Sequence, residues 1–188
     1  KGTFLVDGRP LVKGDWPRLW RRVGIVFQYS ADQLFCPSCW EEVAFGPQQL
    51  GLSPGEVERR VQKALAVVQL QGFEKRVPLH MSGGERKRLA IAATLSLQPE
   101  ILILDEPTAS LDPKSEEQLL AVLEALPMAM LLITHDLFFI RRLCSRTVVL
   151  RQGRIIRDYK TGAFLADNQL RTINGLDNIN KSNWLAEI

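Results

Sequence analysis

The chain has 188 residues, 46% hydrophobic and 24% charged, enough for one domain with a buried core and ordinary for a soluble globular protein. Its 24 basic and 21 acidic residues leave a net charge of +3, too slight to argue for nucleic acid as a partner. The nearest approach to a membrane span, 119–133, is interrupted by Glu124 and Pro127 and falls short of the ~18 consecutive apolar residues required.

Thr3 to Val6 reads as a short strand, followed by the turn signal Asp7-Gly8. Arg22 to Gln28 reads as a buried strand carrying Val23, Ile25, Val26 and Phe27 and ending in a polar residue. From Asp32 to about Leu97 the character is helical. Cys36-Pro37-Ser38-Cys39 has the spacing of a redox pair or half a zinc site. Cys144 is the only other cysteine, and no Cys or His pair stands where it would complete four ligands, so reduced thiols are expected. Ser53-Pro54-Gly55-Glu56 is a capping-box start, and Val57, Val61, Leu65 and Val68 then mark one helical face.

A further helix should open at Gly83-Gly84 and run to about Leu97. Ile101 to Leu104 reads as a strand covered on both faces, as does Met130 to Thr134. Between them Ser115 to Leu126 is amphipathic, with Leu119, Val122, Leu123 and Leu126 inward. Asp136 should cap the next helix. Thr147 to Leu150 and Arg154 to Ile156 flank Gln152-Gly153 as a hairpin. Strands alternating with helices predict an α/β fold with a mostly parallel sheet. Residues 161–188, asparagine-rich from Asn168, read as a loosely docked C-terminal tail.

Three of the expected strands end in polar residues: Gln28, the pair Asp105-Glu106, and His135 just past Thr134. In a parallel sheet, ligand-binding groups collect beyond the carboxyl ends of the strands. Phosphoryl transfer needs positioning, a metal ion and charge stabilisation there. Asp105 suits an indirect hold on Mg²⁺, which keeps most of its waters, and Gln28 is a second candidate ligand. Glu106 would orient or deprotonate an attacking water, and His135 would donate to a terminal phosphate. An isolated Asp-Glu is ordinarily a solvated pair, and a lone His a surface turn residue. Here Pro107-Thr108 follows the acidic pair, and Ser82-Gly83-Gly84-Glu85 precedes it by about twenty residues. That motif offers a hydroxyl and backbone N–H groups at a helix N-terminus, an anion site. Arg86, Lys87 and Arg88 after it read as solvated or partner-facing charge, and His80 as structural.

With these residues in view the chain resembles the ATP-binding subunits of ABC transporters. Met81-Ser82-Gly83-Gly84-Glu85 resembles the family's L-S-G-G-Q signature, with Met for Leu and Glu for Gln. Ile101 to Glu106 is similar to Walker B with its catalytic glutamate, Gln28 to the Q-loop, Ser110-Leu111-Asp112 to the D-loop, and His135 to the switch histidine. The resemblance implies ATP and Mg²⁺ as ligands and a P-loop NTPase core over 1–160 with a helical subdomain at about 32–97. It also implies a second, identical or related ATPase subunit, in which Ser82, Gly83, Gly84, Glu85 and Asp112 serve nucleotide binding. Val26-Phe27-Gln28, Asp32-Gln33-Leu34-Phe35 and Val43-Ala44-Phe45-Gly46-Pro47 are similar to the energy-coupling-factor and cobalt/nickel importer ATPases. That group implies docking on a transmembrane subunit through about 30–49, at the cytoplasmic face of the membrane, to import a metal ion or a vitamin. Phe35, Trp40 and Phe45 would then be docking anchors or, equally, core of the helical part.

No G-x-x-x-x-G-K-[ST] loop occurs between Lys1 and Ile188, and the chain does not begin with Met. The expectation is therefore a truncated chain lacking the P-loop strand and helix, and inactive alone. Two other readings stay open: a soluble ABC-type ATPase of DNA repair or translation, or a non-catalytic donor of the signature motif. The first usually carries two cassettes or a coiled-coil insertion. Intact Glu106 and His135 weigh against the second.

Overall fold

A computed structural model describes residues 2–167. The fold begins with a small hairpin, β1 (Leu5–Val6) and β2 (Arg9–Pro10), closed by Asp7 and Gly8, both at positive φ. Helix α1 (Trp16–Arg22) leads into β3 (Val23–Val26). At that junction Arg22 bridges Asp7 and Glu100, pinning the hairpin to the start of the next strand.

The central sheet is parallel, in the order β3, β4 (Ile101–Asp105), β5 (Ala129–Ile133), with Val26 opposite Leu104 and Asp105 opposite Ile133. Between β3 and β4 run three helices, α2 (Cys39–Gln49), α3 (Pro54–Val67) and α4 (Gly83–Leu95). Between β4 and β5 lies α5 (Pro113–Glu124). Parallel neighbours require such crossovers. The chain closes with α6 (Leu137–Leu143), the antiparallel pair β6 (Arg146–Arg151) and β7 (Arg154–Lys160), and α7 (Thr161–Ala166).

One apolar core runs without a break from the sheet (Val26, Leu102, Leu104) into the helices (Val43, Val61, Leu65, Leu89, Ile91). Helix α4 sits at its centre. Thr94 approaches β3 so closely that a Cβ on Gly24 would lie 2.3 Å from its methyl carbon. Ser53 caps α3 as expected, but only half the capping box forms, because Glu56 turns forward to pair with Arg59 and Arg60. Gln152 and Gly153, both at positive φ, make the expected hairpin turn.

Four expectations are corrected. Strand β5 is not covered on both faces. It is the edge of the three-stranded sheet, and Leu131 and Ile133 are 53% and 50% exposed. In β4, Leu102 and Leu104 are fully buried but Ile101 is exposed, so burial alternates along it. Phe27 lies past the end of β3 and is exposed. Of the expected tail, 161–166 forms α7, whose Phe164 is buried beside Val149. The asparagine-rich 168–188 lies outside the described residues.

Candidate functional site

The site has two clusters. The first is the N-terminus of α4. Ser82 is its cap: the Ser82 hydroxyl accepts from the Glu85 N–H at 3.2 Å, and the Glu85 carboxylate accepts from the Ser82 N–H at 2.8 Å. The backbone N–H of Ser82 thereby holds the Glu85 carboxyl below the usual range. At the first two helical positions the N–H groups of Gly83 and Gly84 have no intrahelical acceptor. The two glycines differ in surroundings. A Cβ on Gly84 would collide with Ser115 of α5, whereas one on Gly83 would meet nothing nearer than 3.9 Å.

Asp112 caps α5, accepting from the Ser115 N–H at 3.0 Å and the Ser115 hydroxyl at 2.6 Å, which hold its carboxyl below the usual range. Asp112, the start of α5 and the Gly84 backbone therefore pack as one corner.

The second cluster lies at the carboxyl ends of β4 and β5. Glu106 follows β4 at φ +40, a left-handed backbone that a Glu rarely adopts, and its N–H donates to the Ile133 carbonyl at 2.8 Å. That conformation turns its side chain towards the end of β5. Glu106 Oε1 lies 3.0 Å from His135 Nδ1, and Glu106 Oε2 accepts from the Thr134 hydroxyl at 3.3 Å. A carboxylate only accepts, so Nδ1 is the donor. The Thr134 hydroxyl also accepts from the Asp136 N–H at 3.0 Å, and Asp136 caps α6. Glu106 is thus oriented by two successive residues, and His135 keeps an exposed ring. Backbone at an unfavourable φ concentrates at functional sites.

Asp105 ends β4, and Gln28 lies two residues beyond β3, its immediate neighbour. A carboxylate and an amide oxygen at neighbouring strand ends are hard donors. They suit Mg²⁺, which takes one or two protein ligands and completes its shell with water and phosphate oxygens. Among the described residues there is no cluster of three or more His, Cys, Asp or Glu, as a site built wholly from protein would need.

Sequence reasoning missed Lys87 and Arg88. Both are buried, not solvated. The Lys87 ammonium donates to the carbonyls of Phe27 (3.0 Å) and Gln28 (2.7 Å). Burial pushes it down to about 8, with the Asp105 carboxylate opposing. Arg88 donates to the Gln118 side chain of α5, and its Nε has no partner. The signal was the run Leu89-Ala90-Ile91-Ala92: a helix apolar all round is covered all round, and takes its polar residues inside with it. No hydrogen bond or ion pair links Ser82–Glu85 to Glu106 or His135.

The family model for the ABC transporter matches residues 1–109. A putative ABC transporter ATP-binding protein of Streptomyces avermitilis is 44% identical over 94% of this chain and 67% of its own length. The chain belongs to the ABC transporter ATP-binding family. The energy-coupling factor transporter ATP-binding protein EcfA of Methanocaldococcus jannaschii is 41% identical over 84% of this chain and 58% of its own length. Among solved structures, CbiO1 from Clostridium perfringens, described as part of the ABC transporter complex CbiONQ, aligns with a TM-score of 0.80 at 30% identity, covering 93% of this chain and 72% of that one. The ATP-binding cassette MJ0796, solved as a post-hydrolysis dimer with ADP and Pi, aligns with a TM-score of 0.71 at 27% identity, covering 83% of this chain and 72% of that one.

This ABC cassette thus spans about two thirds of the length of the curated relatives it matches. It is an ATP-binding subunit of a transporter, of an ATPase family whose ligands are ATP and Mg²⁺. Among the described residues no helix is long and apolar enough to cross a membrane.

Proposed function

We propose that this chain is the ATP-hydrolysing subunit of an importer and works as one of two facing subunits on a transmembrane partner. The observation that carries the proposal is the contact of Glu106 with both Thr134 and His135, made possible by the left-handed backbone at Glu106. Glu106 accepts the proton of the attacking water, and His135 holds that carboxylate in line while its exposed ring meets the terminal phosphate. Asp105 and Gln28 would hold Mg²⁺, which when bound would neutralise charge on the phosphates. The Ser82 hydroxyl and the N–H groups of Gly83 and Gly84 meet the ATP held by the facing subunit, with Asp112 fixing the adjoining corner. Because ATP then contacts both subunits only when they close, its binding favours the closed pair.

Docking falls to the stretch at about 30–49 and its flanks. Phe27, Tyr29 and Phe35 are exposed (Phe35 by 68%), and Phe45 stands edge-on to Phe35 with ring centroids 5.0 Å apart. Exposed aromatics grouped in this way fit a partner's apolar helix. Trp40 is partly buried against the core, its indole N–H donating to Glu58, so it supports the surface from beneath. The likeness to EcfA and CbiO1 supports import, with a metal ion or a vitamin as cargo carried by the membrane subunit.

The test is Glu106→Gln in the assembled transporter. Turnover should fall by about 10²-fold or more while ATP binding persists. Turnover within a few-fold of the parent would refute the assignment of Glu106.

A further inference from the structure

Lys87 has no role in the reading above, yet it is one of the most completely buried charges in the molecule, only 2% exposed. Burying an ammonium is costly unless its hydrogens are taken up. Here two are, by consecutive main-chain carbonyls, Phe27 and Gln28, which belong to the loop leaving β3. Lys87 sits on α4, one turn past Gly83 and Gly84. On its other side α4 is fastened to α5 by the Arg88–Gln118 hydrogen bond and by the close approach of Gly84 to Ser115. Past Gln28 the loop has further anchors. The Gln33 side chain accepts from the Phe27 N–H at 3.1 Å and donates to the Ile25 carbonyl at 3.2 Å and to the Thr94 hydroxyl of α4 at 3.4 Å, and Leu34 is buried in the core. At Phe27 and Gln28 themselves the carbonyls are taken up by Lys87.

We propose that Lys87 is a positioning residue that fastens the backbone at Gln28 to the signature helix, so that the docking stretch after Gln28 and the Ser82–Gly84 motif move as one body. The inference rests on the docking surface and signature role proposed above. Its physical basis is that a rigid helix transmits displacement only if both ends are fixed. Two charge-assisted bonds to successive carbonyls fix a main chain where side-chain packing alone leaves it free to peel. Motion imposed on the aromatic surface by a membrane partner then reaches the motif that completes the facing subunit's site.

Hydrogen exchange on the full chain tests this with Lys87→Met, which keeps length and removes the donor, and Lys87→Gln, which keeps a donor without charge. Amides over 27–33 should exchange about tenfold or more faster in the Met variant and within about threefold of the parent in the Gln variant, with α3 (57–65) unchanged in both. Unchanged exchange over 27–33 in the Met variant would overturn the proposal. So would a uniform rise through α3, which would make Lys87 a general core residue. In the assembled transporter, docking of the membrane subunit should slow exchange over both 27–35 and 82–86 in the parent, but over 27–35 alone in the Met variant. Slowing at 82–86 in that variant too would show that the signal travels without Lys87. None of these readouts depends on turnover, so failure of the Glu106 assignment and failure of this one are separately visible.

Discussion

The sharpest test of the site's construction is the contrast between Gly83→Ala and Gly84→Ala. At Gly84 an added Cβ falls 2.3 Å from the Ser115 Oγ, 2.5 Å from its Cβ and 3.6 Å from its Cα. Rotating the serine hydroxyl away relieves the first contact but not the second, because Cβ is fixed by the α5 backbone. The start of α4 must therefore move off α5. Overpacking of this kind costs about 1–3 kcal/mol, against which alanine's better helix propensity returns at most about 1 kcal/mol. In a chain of this size each kcal/mol is worth roughly 2–4 °C, so Gly84→Ala should lower Tm by several degrees. Followed by circular dichroism, the double variant Gly84→Ala/Ser115→Gly should recover most of that loss.

Gly83 behaves oppositely. The nearest atoms to its added Cβ, Leu111 Cδ2 and the Ser110 carbonyl oxygen, are 3.9 Å away. Gly83→Ala should leave Tm unchanged or slightly raised, yet weaken ATP-driven pairing of the two subunits, because the methyl would stand where a phosphate must approach the backbone. A Gly84→Ala variant as stable as the parent would refute the packing argument. Undiminished pairing in Gly83→Ala would refute the phosphate argument.

Three further outcomes follow from the same structure. Because folding lowers the Lys87 ammonium from 10.5 to about 8, the unfolded chain binds more protons between those values. Stability should therefore rise as pH increases from about 8 to 10.5, a slope seen in denaturant titrations of the parent and absent from Lys87→Met. The Cys36 thiol is pushed up from 9.0 to about 11 by burial and the Glu42 carboxylate. At pH 8 its thiolate fraction is then about a hundredth of an ordinary thiol's, and iodoacetamide should label it about 100-fold more slowly than the unfolded chain. Phe35→Asp with Phe45→Asp changes two exposed rings, so Tm should stay within a few degrees. Co-purification with the membrane subunit should be lost; retained co-purification would refute the docking surface.

Much of this molecule was legible in its sequence because its signals are local. The caps at Ser53 and Asp136 each depend on three or four consecutive residues, and each side chain accepts where expected. The hairpin turns at Asp7-Gly8 and Gln152-Gly153 likewise need only the two residues that adopt positive φ. Polar residues ending apolar strands placed Glu106 and His135 together before any coordinate did. What failed was anything set by neighbours distant in sequence. A run of apolar residues does not reveal whether both faces of its strand are covered, and along β5 alternate residues, Leu131 and Ile133, are open on one face. Nor does a triplet of basic residues reveal which are covered: Lys87 and Arg88 are enclosed because α4 is packed by α2, α3, β3 and α5 at once.

Gly83 carries one more step. The identities of Ser82, Gly84 and Glu85 are accounted for inside this chain. Ser82 and Glu85 cap each other, and Gly84 makes room for Ser115. Gly83 has room for a Cβ, with nothing nearer than 3.9 Å, and no positive φ, so nothing in the fold excludes a methyl there. Alanine would even favour the helix. A glycine that its own fold does not need is explained by what approaches from outside, and the groups exposed beside it are N–H donors at a helix N-terminus, which select an anion. On the function proposed above, that anion is a phosphate of the nucleotide held by the facing subunit.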